Sequence, residues 1–495
     1  MSVSENVPET KSMVYDLKPY PAYKDSSVPW LGEVPEHWEV QRGKWLFRHK
    51  KQINADHSNS NILSLTLRGV VNNNPDNPEG LVPKDYASYQ LFRKGDLVFK
   101  LIDLENLRTS RVGFVHEDGI MSPAYVRLIP QSENNIFFFF HQYFDLYQRG
   151  IYNQLGAGVR STLGPSDLLN LSVLVPSLSE QSTIVRYLDH ISRRIRRYIR
   201  TKQKLIKLLE EQKQAIIHQA VTRGLDPNVR LKSSGVEWLG DVPEHWEVVA
   251  LRRVTLARCD GPFGSGLKSS HYTEHGIRVV RLTNIGHAEF RNSDAAFISP
   301  MHYASLGDHS VKAGDVLIAG LGDDRHPAGR ACVAPAEILP AMVKADCFRF
   351  RLKENRINPK FAALQLTATA VAASAILSTG ATRQRTNLQS TTGRMITIPP
   401  LLEQDAVLDY ISENTSTLNI AIDRAHSEIS LLREYRTRLI ADVVTGKLDV
   451  REAATNLPQE TELLDFIDIV DLEDPEETDT HEDMDEAEIL EEVYV

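Results

Sequence analysis

Two long stretches of the chain place apolar residues alternately three and four positions apart, the spacing of helices that bury one stripe. The first stripe comprises Ile184, Leu188, Ile191, Ile195, Tyr198, Leu205, Leu209 and Ile216. The second comprises Val407, Ile411, Leu418, Ala421, Ala425, Leu432, Tyr435 and Leu439. Because the registers match, the pattern predicts two long antiparallel coiled-coil helices that bury each other's apolar face. About 40 residues in each would make a spacer of roughly 60 Å.

The stretches 39–175 and 247–398 show short apolar and polar alternation, which is typical of strands, and each ends in a helical pattern. The predicted fold class is therefore α+β, with two globular domains of mixed α and β structure separated by the two long helices. The clearest predicted elements are strands at Asp96–Leu101, Ile120–Ile129 and Asp315–Ile318, and helices at Phe137–Arg149 and Asn358–Ser378.

Two blocks of sequence recur, so the chain is an internal duplication. The block Trp30-Leu-Gly-Glu-Val-Pro-Glu-His-Trp38-Glu-Val returns 208 positions later at Trp238, with ten of eleven residues identical. The block from Pro176 to Thr222 returns 223 positions later, with the opening Pro-x-Leu-x-Glu-Gln retained at 176–181 and 399–404. The stretches between the blocks share only short motifs, such as Gly95-Asp96 and Gly314-Asp315. The connectors therefore match while the domains differ.

The repeat predicts the domain organisation and an internal pseudo-two-fold axis of symmetry. A circular arrangement is expected, in which Trp30–Trp38 packs near the end of the second helix as Trp238–Trp246 packs near the end of the first. A domain cap without a role in symmetry is the alternative. The expected segments are an N-terminal extension (1–25), a repeat segment (26–38), recognition domain 1 (39–175), the first helix with its repeat segment (176–246), recognition domain 2 (247–398), the second helix (399–450) and an acidic tail (451–495).

Composition is that of an ordinary soluble protein, with 42% hydrophobic and 25% charged residues and no apolar run of the roughly 18 residues that span a bilayer. The first residues lack the order of a secretory signal, which predicts a cytoplasmic protein with no membrane partner. The only cysteines, Cys259, Cys332 and Cys347, have no spacing typical of zinc sites or a disulfide framework. Buried thiols are expected.

The net charge of −10 conceals an uneven distribution. Residues 451–495 hold 18 Asp or Glu and one Arg, a net charge of −17, so residues 1–450 carry +7. A mildly basic body is consistent with phosphate binding, although many unrelated domains have a similar excess. The tail has the composition of a solvated, disordered segment, and a phosphate-mimicking role is left open.

Motifs of catalysis are missing, which predicts no catalytic and no metal site in this chain. The sequence has no Asn/Asp-Pro-Pro-Tyr/Phe motif of amino-methyltransferases. The loop Gly261–Ser269 approaches a P-loop, but Leu267 separates the last glycine from Lys268, which favours a DNA-facing or structural turn. The 16 histidines form no metal-ligand spacing, and His37 and His245 are expected to pack against the adjacent tryptophans.

Polar loops at equivalent places in the two halves are the predicted DNA contacts, because Arg can bind guanine or phosphate and Asn can bind adenine. A solvated loop is the alternative. The candidates are Arg160, Ser161, Thr162, Arg383, Arg385 and Asn387, followed by Lys268, Ser269 and Ser270. An exposed basic face on the first helix is predicted to meet DNA or acidic partner surfaces. Its candidate partner-binding residues are Arg193, Arg196, Arg197 and Arg200.

Over about residues 26–450 the sequence resembles the specificity subunits of type I restriction-modification systems. The repeated Trp-Leu-Gly block, the two helix openings and Gly261–Ser270 carry the resemblance. It implies that each variable domain binds one half of a split double-stranded DNA site and that the helices measure the gap. It also implies two methyltransferase subunits docked on the helices and an ATP-dependent restriction subunit, with S-adenosylmethionine, ATP and Mg²⁺ bound by those partners. The acidic tail departs from the family pattern.

Two other classes of function remain open. One is an enzyme with an unrecognised site, which would require the purified chain alone to modify DNA. The other is a scaffold whose helices only join proteins, which would bind all DNA sequences equally once assembled. Neither explains why the connectors match while the domains differ.

Overall fold

A computed structural model describes residues 17–66, 69–73, 86–102, 104, 111–131, 133–155, 163–306, 308–323, 325–377 and 384–457. The chain divides into two compact units. Unit 1 combines the residues up to 202 with those from 427 onwards, and unit 2 spans residues 203–426. Each unit therefore holds one recognition region together with part of each long helix.

The described residues form helices of very unequal length. Two of them have 46 and 44 residues, and the others have between 5 and 13. In chain order they are α1 (Ile136–Gln148), α2 (Ile151–Leu155), α3 (Pro165–Asn170), α4 (Leu178–Arg223), α5 (Pro300–Ser305), α6 (Pro359–Ala368), α7 (Ala370–Leu377), α8 (Leu388–Gly393), α9 (Leu401–Val444) and α10 (Arg451–Thr455).

Unit 1 is built on a four-stranded antiparallel sheet that packs against α1. Its strands, in spatial order, are Phe47–His49, Val126–Pro130, Leu97–Phe99 and Val112–Phe114. Four antiparallel pairs complete the unit: Tyr23–Asp25 with Glu33–Pro35, Glu39–Arg42 with Ser172–Val175, Gln90–Phe92 with Gly119–Met121, and Leu63–Thr66 with Gly69–Asn72.

Unit 2 repeats this framework and adds a second sheet. Its four-stranded sheet has the same order: Thr255–Cys259, Cys347–Leu352, Val316–Ala319 and Ala331–Val333. The pairs Leu231–Ser233 with Asp241–Pro243 and Glu247–Ala250 with Met395–Ile398 also have counterparts in unit 1. The additions are the pair Leu321–Gly322 with Gln384–Arg385 and a five-stranded sheet of Tyr272–Thr273, Ala296–Ile298, Ile277–Val280, Ala341–Val343 and Ser310–Val311. The predicted α+β class with two long helices is confirmed.

Two predicted elements are each divided in the structure. The predicted strand Ile120–Ile129 is interrupted by a turn in which the N–H of Tyr125 donates to the carbonyl of Ser122. The predicted helix Asn358–Ser378 bends by 66° between α6 and α7. There the buried guanidinium of Arg394 donates to the carbonyl of Leu366, the group that would accept from residue 370 in a continuous helix. Arg394 therefore favours the bend.

The buried stripe of α4 does not follow the predicted heptad along its whole length. Ile184, Ile195, Ile206 and Ile217 are buried at intervals of eleven residues, whereas the predicted Tyr198 and Leu205 are 39% and 41% exposed. Eleven residues make three turns of a straight helix, but a strict heptad drifts by about 20° per repeat. The heptad expectation is thus wrong beyond Ile195. Val407, Leu418 and Ile429 give α9 the same spacing, with Val407 and Ile429 buried.

The beginning of the predicted acidic tail is helical and packed. Helix α10 follows Val450, and Ala454 and Leu457 are buried together with it. The backbone of Asp449 also pairs with that of Lys18, so the two ends of the described chain meet in unit 1. Residues 458–495 of the predicted tail lie outside the described residues.

Candidate nucleic-acid interface

Each recognition region is joined to a long helix through a tryptophan and a glutamate. In unit 1 the fully buried Trp38 donates through Nε1 to Oε1 of Glu180 at 3.1 Å, and Nε2 of His37 lies 3.0 Å from the second carboxylate oxygen. Glu180 stands in the first turn of α4. Its carboxylate therefore satisfies two ring nitrogens and lies where the helix dipole favours negative charge.

Unit 2 has the same arrangement. Trp246 donates to Glu403 in the first turn of α9 at 3.0 Å, and His245 approaches the other carboxylate oxygen at 2.8 Å. The two histidines therefore share the glutamates of the adjacent tryptophans, as well as lying against the indole rings.

The same tryptophans pack against the ends of the opposite helices, which confirms the expected circular arrangement. Gly446 follows α9 with a φ of +78°, and a Cβ there would lie 3.1 Å from Cζ3 of Trp38. Gly224 follows α4 with a φ of +74°, and its Cβ would lie 3.3 Å from Cζ2 of Trp246. Both glycines are required by conformation and by close approach.

The glutamine after each of these glutamates connects the helix to the recognition domain. Gln181 accepts from the backbone N–H of Asn135, immediately before α1, and donates to the carbonyl of Pro176. Gln404 makes the same bonds with Asn358, before α6, and with Pro399. The repeated Glu-Gln pair therefore fixes each domain on its helix.

An ion pair built on a buried aspartate lies at the start of a central strand in each four-stranded sheet; Arg127 is buried and Arg351 is partly exposed. Asp96 accepts from Nε of Arg127 at 2.6 Å, and Asp315 accepts from Nε and Nη2 of Arg351 at 2.8 Å. Each aspartate also accepts from a backbone N–H three residues earlier, which closes the Gly-Asp turn. The Gly-Asp motif shared by the two divergent stretches therefore has a structural role.

A second buried arginine braces the loop that leaves each sheet. Arg111 donates to the carbonyl of Ile102, and Arg330 donates to the carbonyl of Leu321, both at 3.0 Å. Arg330 also donates to the carbonyls of Leu282 and Ile285. Burial lowers the pKa of Arg330 to about 10. Both arginines lie 15 positions after the Gly-Asp turn, and this constant spacing is the signal by which sequence analysis could have found them.

Several polar loops of unit 2 form one surface, here called the loop surface: residues 260–271, 321–323, 325–328, 344–346 and 384–387. A Cβ at Gly261 would lie 2.0 Å from the carbonyl carbon of Lys344, so these two loops touch through backbone. The N–H of Ala328 donates to Gln384, which ties a third loop to the strand carrying Arg385. The loop surface combines cations, hydroxyls and the exposed ring of Phe263, groups suited to phosphate and base contacts.

Two carboxyl groups adjust the charge of the loop surface. Arg385 contacts both oxygens of Asp346, at 3.2 and 3.3 Å. Burial raises the pKa of Asp260 to about 6, and the nearby carboxylate of Asp346 adds to the rise. An approaching phosphate would compete with Asp346 for Arg385 and would favour the neutral form of Asp260.

Comparison with known proteins agrees with this architecture. The model of the type I restriction modification DNA specificity domain matches residues 35–208. A Methanocaldococcus jannaschii protein assigned as the MjaX type I restriction enzyme specificity subunit is 24% identical over 451 residues, which cover 85% of this chain and 96% of the relative. These matches all indicate a specificity subunit of a type I restriction-modification system.

Two further comparisons give similar matches. The type I restriction enzyme MjaVIII specificity subunit of the same organism is 24% identical over 209 residues, 42% of this chain and 46% of that one. A chain from a solved structure on complex assembly and conformational transition of the type I R-M system shares the fold. Its TM-score is 0.56 at 16% identity, and the match covers 84% of this chain and 99% of the other.

The structure describes only some of the residues predicted to contact DNA. Arg160, Ser161, Thr162 and Arg383 lie outside the described residues. Lys268, Ser269 and Ser270 are exposed on the loop surface, as is Arg385 with its partner Asp346. The side-chain Oδ1 of Asn387 accepts from the backbone N–H of Ser390 and caps α8, so this side chain has a structural role.

The basic run on α4 is less exposed than predicted. Arg196 is only 4% exposed, so the expectation that it lies on an exposed face is wrong. Its neighbour Arg436 on α9 has a pKa lowered to about 9 by burial and by the charge of Arg196. Arg197 and Arg200 are exposed as predicted, whereas Arg193 is partly exposed and pairs with Asp189 at 2.5 Å.

Neither a metal centre nor a membrane span emerges from the part of the chain that the structure describes. No group of three or more His, Cys, Asp or Glu there could hold a metal ion. Within the same residues no single helix is long and apolar enough to cross a membrane, and the bent pair α6 and α7 meets the test by length and composition alone.

Proposed function

We propose that each recognition region binds one half of a bipartite DNA target and that α4 and α9 set the distance between the halves. The observation that carries this proposal is the pairing of identical anchors with different domains. Trp38 with Glu180 and Trp246 with Glu403 attach the two domains in the same way. The loops beyond the sheets differ, and only unit 2 carries the five-stranded sheet among the described residues. One chain thus presents two binding surfaces of different specificity.

The loop surface is the DNA contact proposed for unit 2. Lys268 and Ser269 would hold phosphate, while Arg385 would leave Asp346 to bind phosphate or a base edge. The hydrogen bonds from Arg330 to backbone carbonyls support this role, because a loop that recognises DNA must be held in one conformation before DNA binds. The loop containing Arg160 is the corresponding proposal for unit 1.

The chain is proposed to have no catalytic role and to direct partner subunits to the site. Two methyltransferase subunits would dock on the long helices, where Arg197 and Arg200 offer exposed charge, and a restriction and translocation subunit would join them. S-adenosylmethionine, ATP and Mg²⁺ would be bound by those partners. Sequence motifs for these groups are missing from this chain.

Reconstitution tests the proposed division of labour. The chain with its methyltransferase partner and S-adenosylmethionine should methylate one bipartite sequence in a randomised DNA library, and the chain alone should methylate none. Methylation by the chain alone would favour the enzyme alternative. Methylation without sequence preference would favour the scaffold.

A further inference from the structure

The last described residues leave unit 1 beside a basic face of α4. The guanidinium of Arg186 donates to the carbonyl of Ala454 in α10 at 2.5 Å, and the buried Leu457 follows three residues later. The point at which the chain continues towards residue 458 is therefore fixed against the face of α4 that carries Arg186.

That face continues as a row of arginines. Arg193, Arg197 and Arg200 follow Arg186 by 7, 11 and 14 residues. At about 100° per residue all four lie within an arc of roughly 60°, and the row extends about 21 Å along the helix. Arg186, Arg197 and Arg200 are exposed, and Arg193 is partly exposed. We call these four residues the arginine row.

The segment that continues from this point has the opposite charge. Residues 458–495 hold 17 Asp and Glu and no Lys or Arg. Roughly seven residues of extended chain would reach from Leu457 to Arg200, so the first part of the tail can follow the whole row. Tethering gives the tail an effective concentration on the order of millimolar at the row, which favours even a weak intramolecular contact.

We propose that residues 458–495 dock on the arginine row of their own chain. The docked tail neutralises the face and must be displaced before another polyanion or an acidic protein surface can occupy it. The tail then acts as an intrinsic competitor for the charged face of α4. This inference does not depend on the identity of the partner subunits.

Peptide binding to the full-length chain tests the docking. The acceptor is a variant in which all 17 carboxylates of residues 458–495 are replaced by amides, and the probe is a fluorescent peptide with the native sequence of residues 458–495. The peptide should bind in low salt and weaken about tenfold or more at high salt, because the contact is electrostatic and exposed. The unmodified chain should bind it about tenfold more weakly, because its own tail competes.

A matched pair of charge reversals locates the contact. R193E/R197E/R200E in the amide-tail acceptor should weaken binding about tenfold or more, since three cations of the row are lost. R252E/R253E/R258E makes the same charge change at exposed positions of unit 2 and should leave binding within about twofold. If the first variant does not fold, R193Q/R197Q/R200Q replaces it.

Four results would overturn the proposal. The peptide could fail to bind in low salt, it could lose affinity equally in both reversal variants, or it could bind the unmodified chain as tightly as the amide-tail chain. Loss confined to R252E/R253E/R258E would also overturn it, because the tail would then belong on the recognition region of unit 2.

Discussion

The indole Nε1 of Trp38 donates to Oε1 of Glu180 across 142 positions of sequence, at 3.1 Å. Trp38 also packs edge-on against Phe138 of α1, so one side chain joins the repeat segment, the recognition domain and the long helix. Trp246, Glu403 and Phe361 repeat the arrangement in unit 2. The two units should therefore depend on different tryptophans.

Replacing each tryptophan by phenylalanine tests this dependence. Trp38→Phe keeps an aromatic ring but removes the indole donor to the buried Glu180 carboxylate, and we expect a local loss of about 1–3 kcal/mol. Hydrogen exchange should become faster in α1 and remain unchanged in α6. Trp246→Phe is the matched control and should show the reverse. If both variants affect the same helix, the anchors are not independent.

Arg330 is predicted to control the order of the loop surface. Arg330→Met keeps the length and apolar stem but leaves the buried carbonyls of Leu282, Ile285 and Leu321 without this donor. We expect a loss of about 2–4 kcal/mol in unit 2 and weaker DNA binding by the assembled complex. Hydrogen exchange around residues 282–285 measures the first effect. Arg258→Met, at an exposed position, is the control, and equal effects of the two variants would contradict the role of Arg330.

His141 should make unit 1 sensitive to acid. Burial and the neighbouring Arg436 lower the pKa of His141 to about 3, below the ordinary value of 6.5. Between these values the unfolded chain binds a proton that the folded chain does not. Stability is therefore full above pH 6.5 and falls as the pH decreases, by at most about 1.4 kcal/mol per pH unit.

The contribution of His141 is isolated by comparing variants. His141→Gln should flatten the pH dependence of hydrogen exchange in α1 between about pH 6.5 and 4, because a glutamine does not titrate there. His57→Gln, which changes an exposed histidine in the same unit, should retain the wild-type dependence. Identical pH profiles for His141→Gln and the wild type would contradict this origin.

Much of the framework could be predicted from sequence because it depends on local patterns. The repeated Trp-Leu-Gly block predicted the duplication, and the apolar stripes predicted the two long helices. The register beyond Ile195 could not be predicted, because Tyr198 and Ile199 are both apolar and only packing buries the second. A heptad and an eleven-residue repeat coincide over the first three turns, from Ile184 to Ile195.

The buried arginines were harder to predict, because those that hold loops in place act through backbone carbonyls. Arg196, Arg330 and Arg394 look like surface cations in the sequence, yet all three are buried. Arg394 and Arg330 are held by carbonyls brought together from distant elements, which no local spacing records. Asn387 shows a different case, since the amide predicted to bind a base also caps a helix.

The spacing role of the helices is tested by shortening both together. Deleting residues 197–207 of α4 and 420–430 of α9 removes eleven residues from each, so the buried stripes keep their faces. Each helix shortens by about 16 Å, which is close to the length of five base pairs of DNA. We expect a shorter required gap or loss of target methylation. Nine-residue deletions, which rotate the stripes by roughly 180°, are the control for misfolding. An unchanged gap would contradict the spacing role.

The most direct test of the proposal that each recognition region binds one half of the target is to map the methylated sites after exchanging one domain. Residues 39–175 are replaced by the corresponding region of another specificity subunit, with the anchors Trp38, Glu180 and Gln181 retained. Methylome sequencing of cells carrying the exchanged chain and its partner subunits should show one half of the target changed and the other half, with the gap, preserved. A change in both halves, or in neither, would contradict the account.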